Sequence, residues 1–335
     1  MYASHRAGYP SERWVRRRVP IRRMGGLDLF EQPGRKRVFS ILLEEIARVI
    51  EVCQGPDPHP RRPRWTPPPA VTDTHFHIFG PAERYPYVSD REYTPPDALP
   101  AACRHLFQTL GIGRAVLVQP SVYGADNRCA MDSAAQLGVP ARVIVVVPYD
   151  MPDKELARLH EGGARGVRFI IAHAGGLPLA DLERFSARVK DMGWHIQLLL
   201  RSKDLVALEP RLAKLSSDIV IDHMGFVRPA DGGVEQPAFQ SLLRLLRGGH
   251  CWVKFSGAYR LSADTPAYRD LAPFARALVE VRPDRVLWGS DWPHAVFKGR
   301  MPNTTDLFDL LIDWVPDETI RASILVENPA TLFGF

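Results

Sequence analysis

Two histidines one residue apart, His75 and His77, close an apolar run that ends Thr72-Asp73-Thr74-His75-Phe76-His77. If that run is a strand, its side chains alternate and both imidazoles share a face. The inward face is expected for them, because Phe76 can then pack against helices. Two further runs end in the same kinds of group. One is Val220-Ile221-Asp222-His223-Met224-Gly225, and the other is Leu287-Trp288-Gly289-Ser290-Asp291-Trp292-Pro293-His294. Three imidazoles and a carboxylate could hold one divalent metal, with water completing the site. A lone histidine at a strand end is usually just a satisfied polar residue. Four such groups at like ends, two of them at i,i+2, point to a site. His195 begins its strand, so it is expected at the stability end with a structural role. His105, His160 and His250 are read as ordinary, while His173 and His294 lie just past strand ends and stay ambiguous.

Arginines form a second constellation. Arg168 lies within Arg165-Gly166-Val167-Arg168-Phe169, and Arg260 follows an apolar run in Tyr259-Arg260-Leu261-Ser262. A guanidinium inside an apolar strand requires an anionic partner. That partner is either a substrate carboxylate gripped by the planar fork or an internal carboxylate such as Asp291 or Asp73. Ser121 and Tyr123 could add hydrogen bonds to a substrate, and Asp126-Asn127 reads as a helix cap.

These groups need a scaffold that brings distant strand ends together. Eight short β-branched runs supply it: Val71–Ile78, Arg114–Gln119, Arg142–Val147, Gly166–Ile171, His195–Leu200, Asp218–His223, Cys251–Ser256 and Arg285–Ser290. Helical segments alternate with them. Leu179, Leu182, Phe185, Val189 and Met192 line one helix face, and Tyr268, Leu271, Phe274, Leu278 and Val281 another. Such alternation implies parallel strands joined by crossovers. Eight units suit an α/β fold, a single (β/α)8 TIM barrel, which carries its chemistry at the C-terminal strand ends. A doubly wound sheet is the rival, but no strand is followed by G-x-G-x-x-G or G-x-x-x-x-G-K-[ST].

The barrel is expected over 67–335, after a basic Arg/Pro-rich extension over 1–66. That extension includes a possible short helix, Val38–Cys53, and a proline-rich linker, Pro56–Pro69. Residues 1–66 hold fourteen Lys and Arg against seven Asp and Glu, a net of +7, so the remainder carries −2 of the overall +5. The extension is read as partly disordered, and Met24 is an alternative start. A basic arm can bind nucleic acid, but no nucleic-acid motif accompanies it, so no such partner is expected. No apolar run approaches the roughly 20 residues that span a bilayer, and no secretory signal is evident. No membrane partner and a cytoplasmic location are the default expectations. Cys53, Cys103, Cys129 and Cys251 have no paired spacing, which argues for four reduced thiols. Nothing in the sequence fixes an oligomeric state.

The His75-x-His77, His223-Met224-Gly225 and Gly289-to-His294 segments together resemble the amidohydrolase superfamily. Gln119-Pro120-Ser121, Tyr123-to-Asn127 and Tyr259-to-Ser262 are similar to its 2-pyrone-4,6-dicarboxylate lactonase branch. The resemblance covers Pro69 to Phe335. It implies hydrolysis of a small carboxylated lactone or related cyclic ester, with Asp291 as base and Arg168 and Arg260 as carboxylate binders. It casts His75, His77 and His223 as polarising or metal-binding groups. Metal-rich members carry a bridging residue after strand four and a histidine after strand five. This chain has Arg168-Phe169-Ile170-Ile171 and Leu200-Arg201-Ser202 there, which disfavours two metals. Ile171-Ala172-His173 stands where the branch has a second arginine. No obligatory metal is favoured, with one Zn2+ on His75, His77, His223 and Asp291 as the alternative. A zinc-dependent decarboxylase is the competing activity, and a non-catalytic basic-arm binding protein is a third reading.

Overall fold

A computed structural model of the chain describes residues 52–172 and 176–335. The helix expected over Val38–Cys53 lies outside them except for its last two residues, as do the arginine-rich leader and His173. The eight expected strands are present, with ends that shift by at most two residues: β1 (Val71–Phe76), β2 (Ile112–Val118), β3 (Ala141–Val145), β4 (Ala164–Ile170), β5 (His195–Leu199), β6 (Ile219–Ile221), β7 (Cys251–Phe255) and β8 (Val286–Trp288). Each pairs in parallel with the next, in the order β1 to β8.

The crossovers carry α1 (Pro100–Leu110), α2 (Arg128–Ala134), α3 (Asp153–Glu161), α4 (Leu182–Lys190), α5 (Ser202–Leu212), α6 (Pro237–Arg247) and α7 (Ala272–Val281). After β8 comes α8 (Thr304–Trp314). The helix faces read from spacing are the buried ones: Leu182, Phe185 and Val189 on α4, and Phe274 and Leu278 on α7, with Leu271 just before it. Phe76 turns outward and meets Phe107 of α1 edge to face, centroids 5.2 Å apart.

Parallel strands covered on both faces are buried throughout, and strand alternation divides their side chains between two compartments. Cys251, Val253 and Phe255 of β7 join the layer between sheet and helices. Trp252 packs instead with Val116, Val118, Ile144, Val220 and Leu287 inside the barrel, against Leu332 and Phe333 near the C-terminus. The half of the interior near the strand starts is therefore filled with hydrocarbon. Polar side chains occupy the other half.

β8 closes onto β1 through a few specific bonds. Asp291 N donates to His75 O (2.7 Å) and His77 N to Trp292 O (2.8 Å). Thr74 Oγ1 donates to Trp288 O (2.6 Å), and Asp73 Oδ1 accepts from Ser290 N (2.9 Å) and His75 N (3.1 Å). Gly289 allows this approach, because a Cβ there would lie 2.5 Å from His75 Cβ and 2.8 Å from His75 N.

The proline-rich stretch runs without regular structure and is docked. Arg61 N and Arg64 N donate to Thr305 Oγ1 and Asp309 Oδ1, both at 3.0 Å, and Trp65 packs on Phe308, centroids 5.1 Å apart. Side chains of α8 thus supply acceptors that an extended strand would otherwise find in a sheet. Cys103, Cys129 and Cys251 are buried free thiols. Among the described residues no helix is long and apolar enough to cross a membrane.

Gly289→Ala forces apart the backbones that close the barrel. We expect it to lower stability by about 1–3 kcal/mol, the range for overpacking a tight interior. The urea midpoint checks this; an unchanged midpoint would show that the closure is slack.

Candidate active site

His75 and His77 leave β1 with their rings edge to face, centroids 5.1 Å apart. His223 and Asp291 follow the ends of β6 and β8. Neither continues its strand. His223, Met224, Gly225 and Phe226 have φ of 50°, 49°, 67° and 52°, one short left-handed turn, and Asp291 has φ 57°. This is why β6 and β8 stop earlier than their apolar patterns suggest. Left-handed geometry costs a residue with a Cβ roughly 1–2 kcal/mol, and strain of this kind gathers at functional sites.

The turns aim four groups at one point. Asp291 Oδ1 lies 3.7 Å from His75 Nε2, 3.7 Å from His77 Nε2 and 4.0 Å from His223 Nε2. The outer ring nitrogens are already engaged. His77 Nδ1 is 2.7 Å from Val118 O, a carbonyl that can only accept, so its hydrogen sits on Nδ1. His75 Nδ1 is 3.1 Å from Asp222 Oδ1, which assigns its hydrogen in the same way. His223 Nδ1 meets the Ser256 hydroxyl at 2.8 Å. Two imidazoles thus turn bare lone pairs toward a carboxylate oxygen. His75 Nε2 and Asp291 Oδ1 are both buried without a hydrogen-bond partner.

The other oxygen of Asp291 is saturated. Oδ2 accepts from Tyr259 OH (2.6 Å) and Arg260 Nε (3.0 Å). Burial works against ionising Asp291, but the Arg260 guanidinium beside it outweighs that cost and holds the carboxyl well below its usual range. Burial, with the charge of Asp291 beside it, keeps the Tyr259 phenol protonated far above its usual range. Burial also depresses the imidazoles, His77 to about 3 and His223 to about 4, so these rings are neutral near pH 7.

A divalent cation fits this donor set. Among the described residues, His75, His77 and Asp291 form one group with metal-binding spacing, and His75, Asp222 and His223 another. Converging lone pairs with no hydrogen between them are what a cation satisfies.

The arginines are paired internally. Arg168 donates to Gln119 O (2.8 Å) and Asp222 Oδ2 (3.2 Å), and its buried Nε has no partner. Arg260 bonds Asp291 and Ala295 O, and its side chain keeps 20% of its surface exposed. Ser121 lies near the Tyr93 phenol, which burial pushes up to about 12. Tyr123 is not brought to the cluster; its hydroxyl accepts from Gly80 N at 2.8 Å. His294 bonds Thr304 Oγ1 (3.0 Å) and packs on Tyr259 rather than joining the imidazoles. His195 lies at the start of β5 against Phe333, 5.4 Å between centroids. His105 is exposed, while His160 and His250 make single bonds to Trp194 and to Leu212 O.

Sequence reasoning missed four groups. Tyr259 and Asp222 adjoin residues it singled out. Lys254 and Gln197 alternate with the inward residues Trp252 and His195, so strand periodicity could have found them.

A family model described as amidohydrolase matches residues 72–335. The chain is 41% identical over 296 residues to a 4-sulfomuconolactone hydrolase of Hydrogenophaga intermedia, covering 87% of this chain and 97% of that one. It is 37% identical over 287 residues to a 2-pyrone-4,6-dicarboxylate hydrolase of Comamonas testosteroni, covering 82% and 93%. Among solved structures it resembles a probable 2-pyrone-4,6-dicarboxylic acid hydrolase of Acinetobacter baumannii with citric acid bound. That match has a TM-score of 0.70 and 31% identity, covering 79% of this chain and 100% of that one.

Free imidazoles titrate near 6.5, whereas those of His77, His195, His223 and His294 are held at about 3 to 4. Between these limits the unfolded chain binds protons that the fold refuses. Stability is therefore fully present above about pH 6.5 and falls as pH drops toward 4. The slope approaches about 1.4 kcal/mol per pH unit for each such ring. Urea midpoints of metal-free protein from pH 7 to 5 should decline; a flat profile would show that the rings protonate in the fold.

Proposed function

The chain belongs to the amidohydrolase family, and on that premise we propose that this enzyme adds water to the ring carbonyl of a small lactone, or related cyclic ester, bearing an anionic substituent. The observation that carries this reading is the single free oxygen of Asp291, aimed between the Nε2 atoms of His75, His77 and His223. A water there has an ionised carboxylate to take its proton. As the water oxygen bonds to the carbonyl carbon, charge passes to the carbonyl oxygen. When the tetrahedral centre collapses, the ring C–O bond breaks and protonated Asp291 returns the proton to the departing oxygen. Atoms balance: one water and one lactone give one ring-opened acid. Tyr259 and Arg260 occupy Oδ2, so the proton is exchanged at Oδ1, through the lone pair that a cation on that oxygen would leave free.

The hydrogen bonds of the imidazoles bear on the cofactor. Direct polarisation of the carbonyl by His75 or His77 requires a hydrogen on Nε2, but Asp222 and Val118 O draw those hydrogens to Nδ1. We therefore favour one divalent ion on His75, His77, His223 and Asp291 over the metal-free reading taken from sequence. Such an ion would supply a Lewis acid and lower the pKa of bound water.

The relatives' names support an anionic lactone, since a sulfonated muconolactone and a pyrone dicarboxylate are both charged. Arg260, partly exposed beside the base, and the unpartnered Nε of Arg168 are the groups proposed to face that anion. Ser121, near Tyr93, is proposed to add a hydrogen bond to the substrate. Tyr123 is left to hold the turn at Gly80.

A panel of lactones with and without carboxylate or sulfonate tests the function by the appearance of ring-opened acid. Release of carbon dioxide instead would select the decarboxylase. Asp291→Asn should lower kcat about 10²–10⁴-fold with the circular dichroism spectrum retained; a near-native rate would remove Asp291 as base. Arg260→Ala should lower kcat on every lactone, through Asp291, and raise KM mainly for charged ones. An equal KM change on neutral lactones would make Arg260 purely structural. Dialysis against a chelator should abolish turnover and one equivalent of Zn2+ restore it; full activity without metal would return the reading to bare imidazoles.

A further inference from the structure

On the side of His75 away from Asp291 lies a charged group that the chemistry above leaves without a task. Lys254 points into the barrel from β7 and is fully buried. Its Nζ donates to Thr74 O (2.9 Å) and Gln197 Oε1 (2.8 Å), and stands 3.4 Å from His75 Nδ1 and 3.6 Å from Asp222 Oδ1. One ammonium thus touches β1, β5 and the residue after β6. Asp222 is equally buried. Its Oδ1 faces His75 Nδ1, while Oδ2 accepts from Arg168 Nη2 and Gln197 Nε2, both at 3.2 Å.

A well-packed apolar pair would fill this space at less cost in desolvation. What the charged pair adds is control over one hydrogen. Its two members make opposite demands on His75 Nδ1. The Asp222 carboxylate asks for a hydrogen there, and the Lys254 ammonium for a lone pair. Distance and charge decide between them. The hydrogens of Lys254 have better takers in Thr74 O, Gln197 Oε1 and the Asp222 carboxylate. A bare Nδ1 would instead set a lone pair 3.1 Å from a carboxylate oxygen. Without the ammonium, Arg168 is the one cation left on Asp222, its pull on Oδ2 draws the carboxylate away from His75, and Gln197 Oε1 loses its donor.

We propose that Lys254, acting through Asp222, is a positioning residue that fixes His75 as the Nδ1–H tautomer and keeps its Nε2 lone pair bare toward Asp291. The inference deepens the function proposed above and rests on it for the use of that lone pair by a cation, though not for the tautomer itself.

Two readouts test it: the imidazole ¹⁵N spectrum of metal-free protein, and Zn2+ affinity by competition with a chromophoric chelator. The native protein should show His75 as the Nδ1–H tautomer. Lys254→Met should give mixed tautomers and bind Zn2+ about 10–100-fold more weakly, the usual effect of losing an outer partner of a metal ligand. Asp222→Asn, whose amide can donate to Nδ1, should move the hydrogen to Nε2. A hydrogen on Nε2 in the native protein overturns the proposal, and that measurement needs no variant to fold. A folded Lys254→Met with native tautomer and native Zn2+ affinity overturns it as well. Native protein that shows the Nδ1–H tautomer but takes no Zn2+ supports the proposal and overturns the cation reading instead.

Discussion

The site depends on one buried negative charge, the carboxylate of Asp291. Away from water such a charge persists only if donors surround it. Here the donors are unevenly placed. Tyr259 and Arg260 both bind Oδ2, leaving Oδ1 among three imidazole nitrogens. That asymmetry leaves one oxygen of a buried ion pair without a hydrogen-bond partner. It rests in turn on the closure of β8 against β1, because the peptide N–H of Asp291 is bonded to the carbonyl of His75. The bond that seals the barrel also sets how far the carboxylate of Asp291 stands from the imidazole of His75.

Strain is the counterpart of that closure. His223, Asp291 and His294 all hold positive φ, at 50°, 57° and 62°. Each is fixed by bonds beyond its own turn: His223 by Ser256, Asp291 by Tyr259 and Arg260, His294 by Thr304. Conformations that a free chain would seldom visit persist because the surroundings over-determine them.

The barrel was legible from the sequence because every strand and several helices write their burial as periodicity. All eight strands were found, and His75 and His77 were placed on the inward face through the outward fit of Phe76. The partners of the arginines were less legible. Asp291 was foreseen for Arg260 as one internal alternative, but the partner of Arg168 is Asp222, which was quoted only as part of the His223 segment. Lys254 escaped notice although it breaks the same rule as Arg168, a cation inside an apolar strand. Cross-strand neighbours follow from register and twist, and neither is encoded locally. The left-handed turn after β6 was unreadable for a related reason. Of its four residues only Gly225 advertises positive φ; His223, Met224 and Phe226 adopt it under tertiary constraint.

Leu332 and Phe333 stopper the barrel at the strand starts, against Trp252 and Leu287. The proposed lactone would then reach the site from the strand ends, where Arg260 is partly uncovered beside Asp291. Ring opening adds a carboxylate, so the departing molecule is more anionic than the arriving one. On the proposed function it would leave past the same guanidinium that faced its precursor. A stronger grip at that threshold would speed capture and slow escape alike.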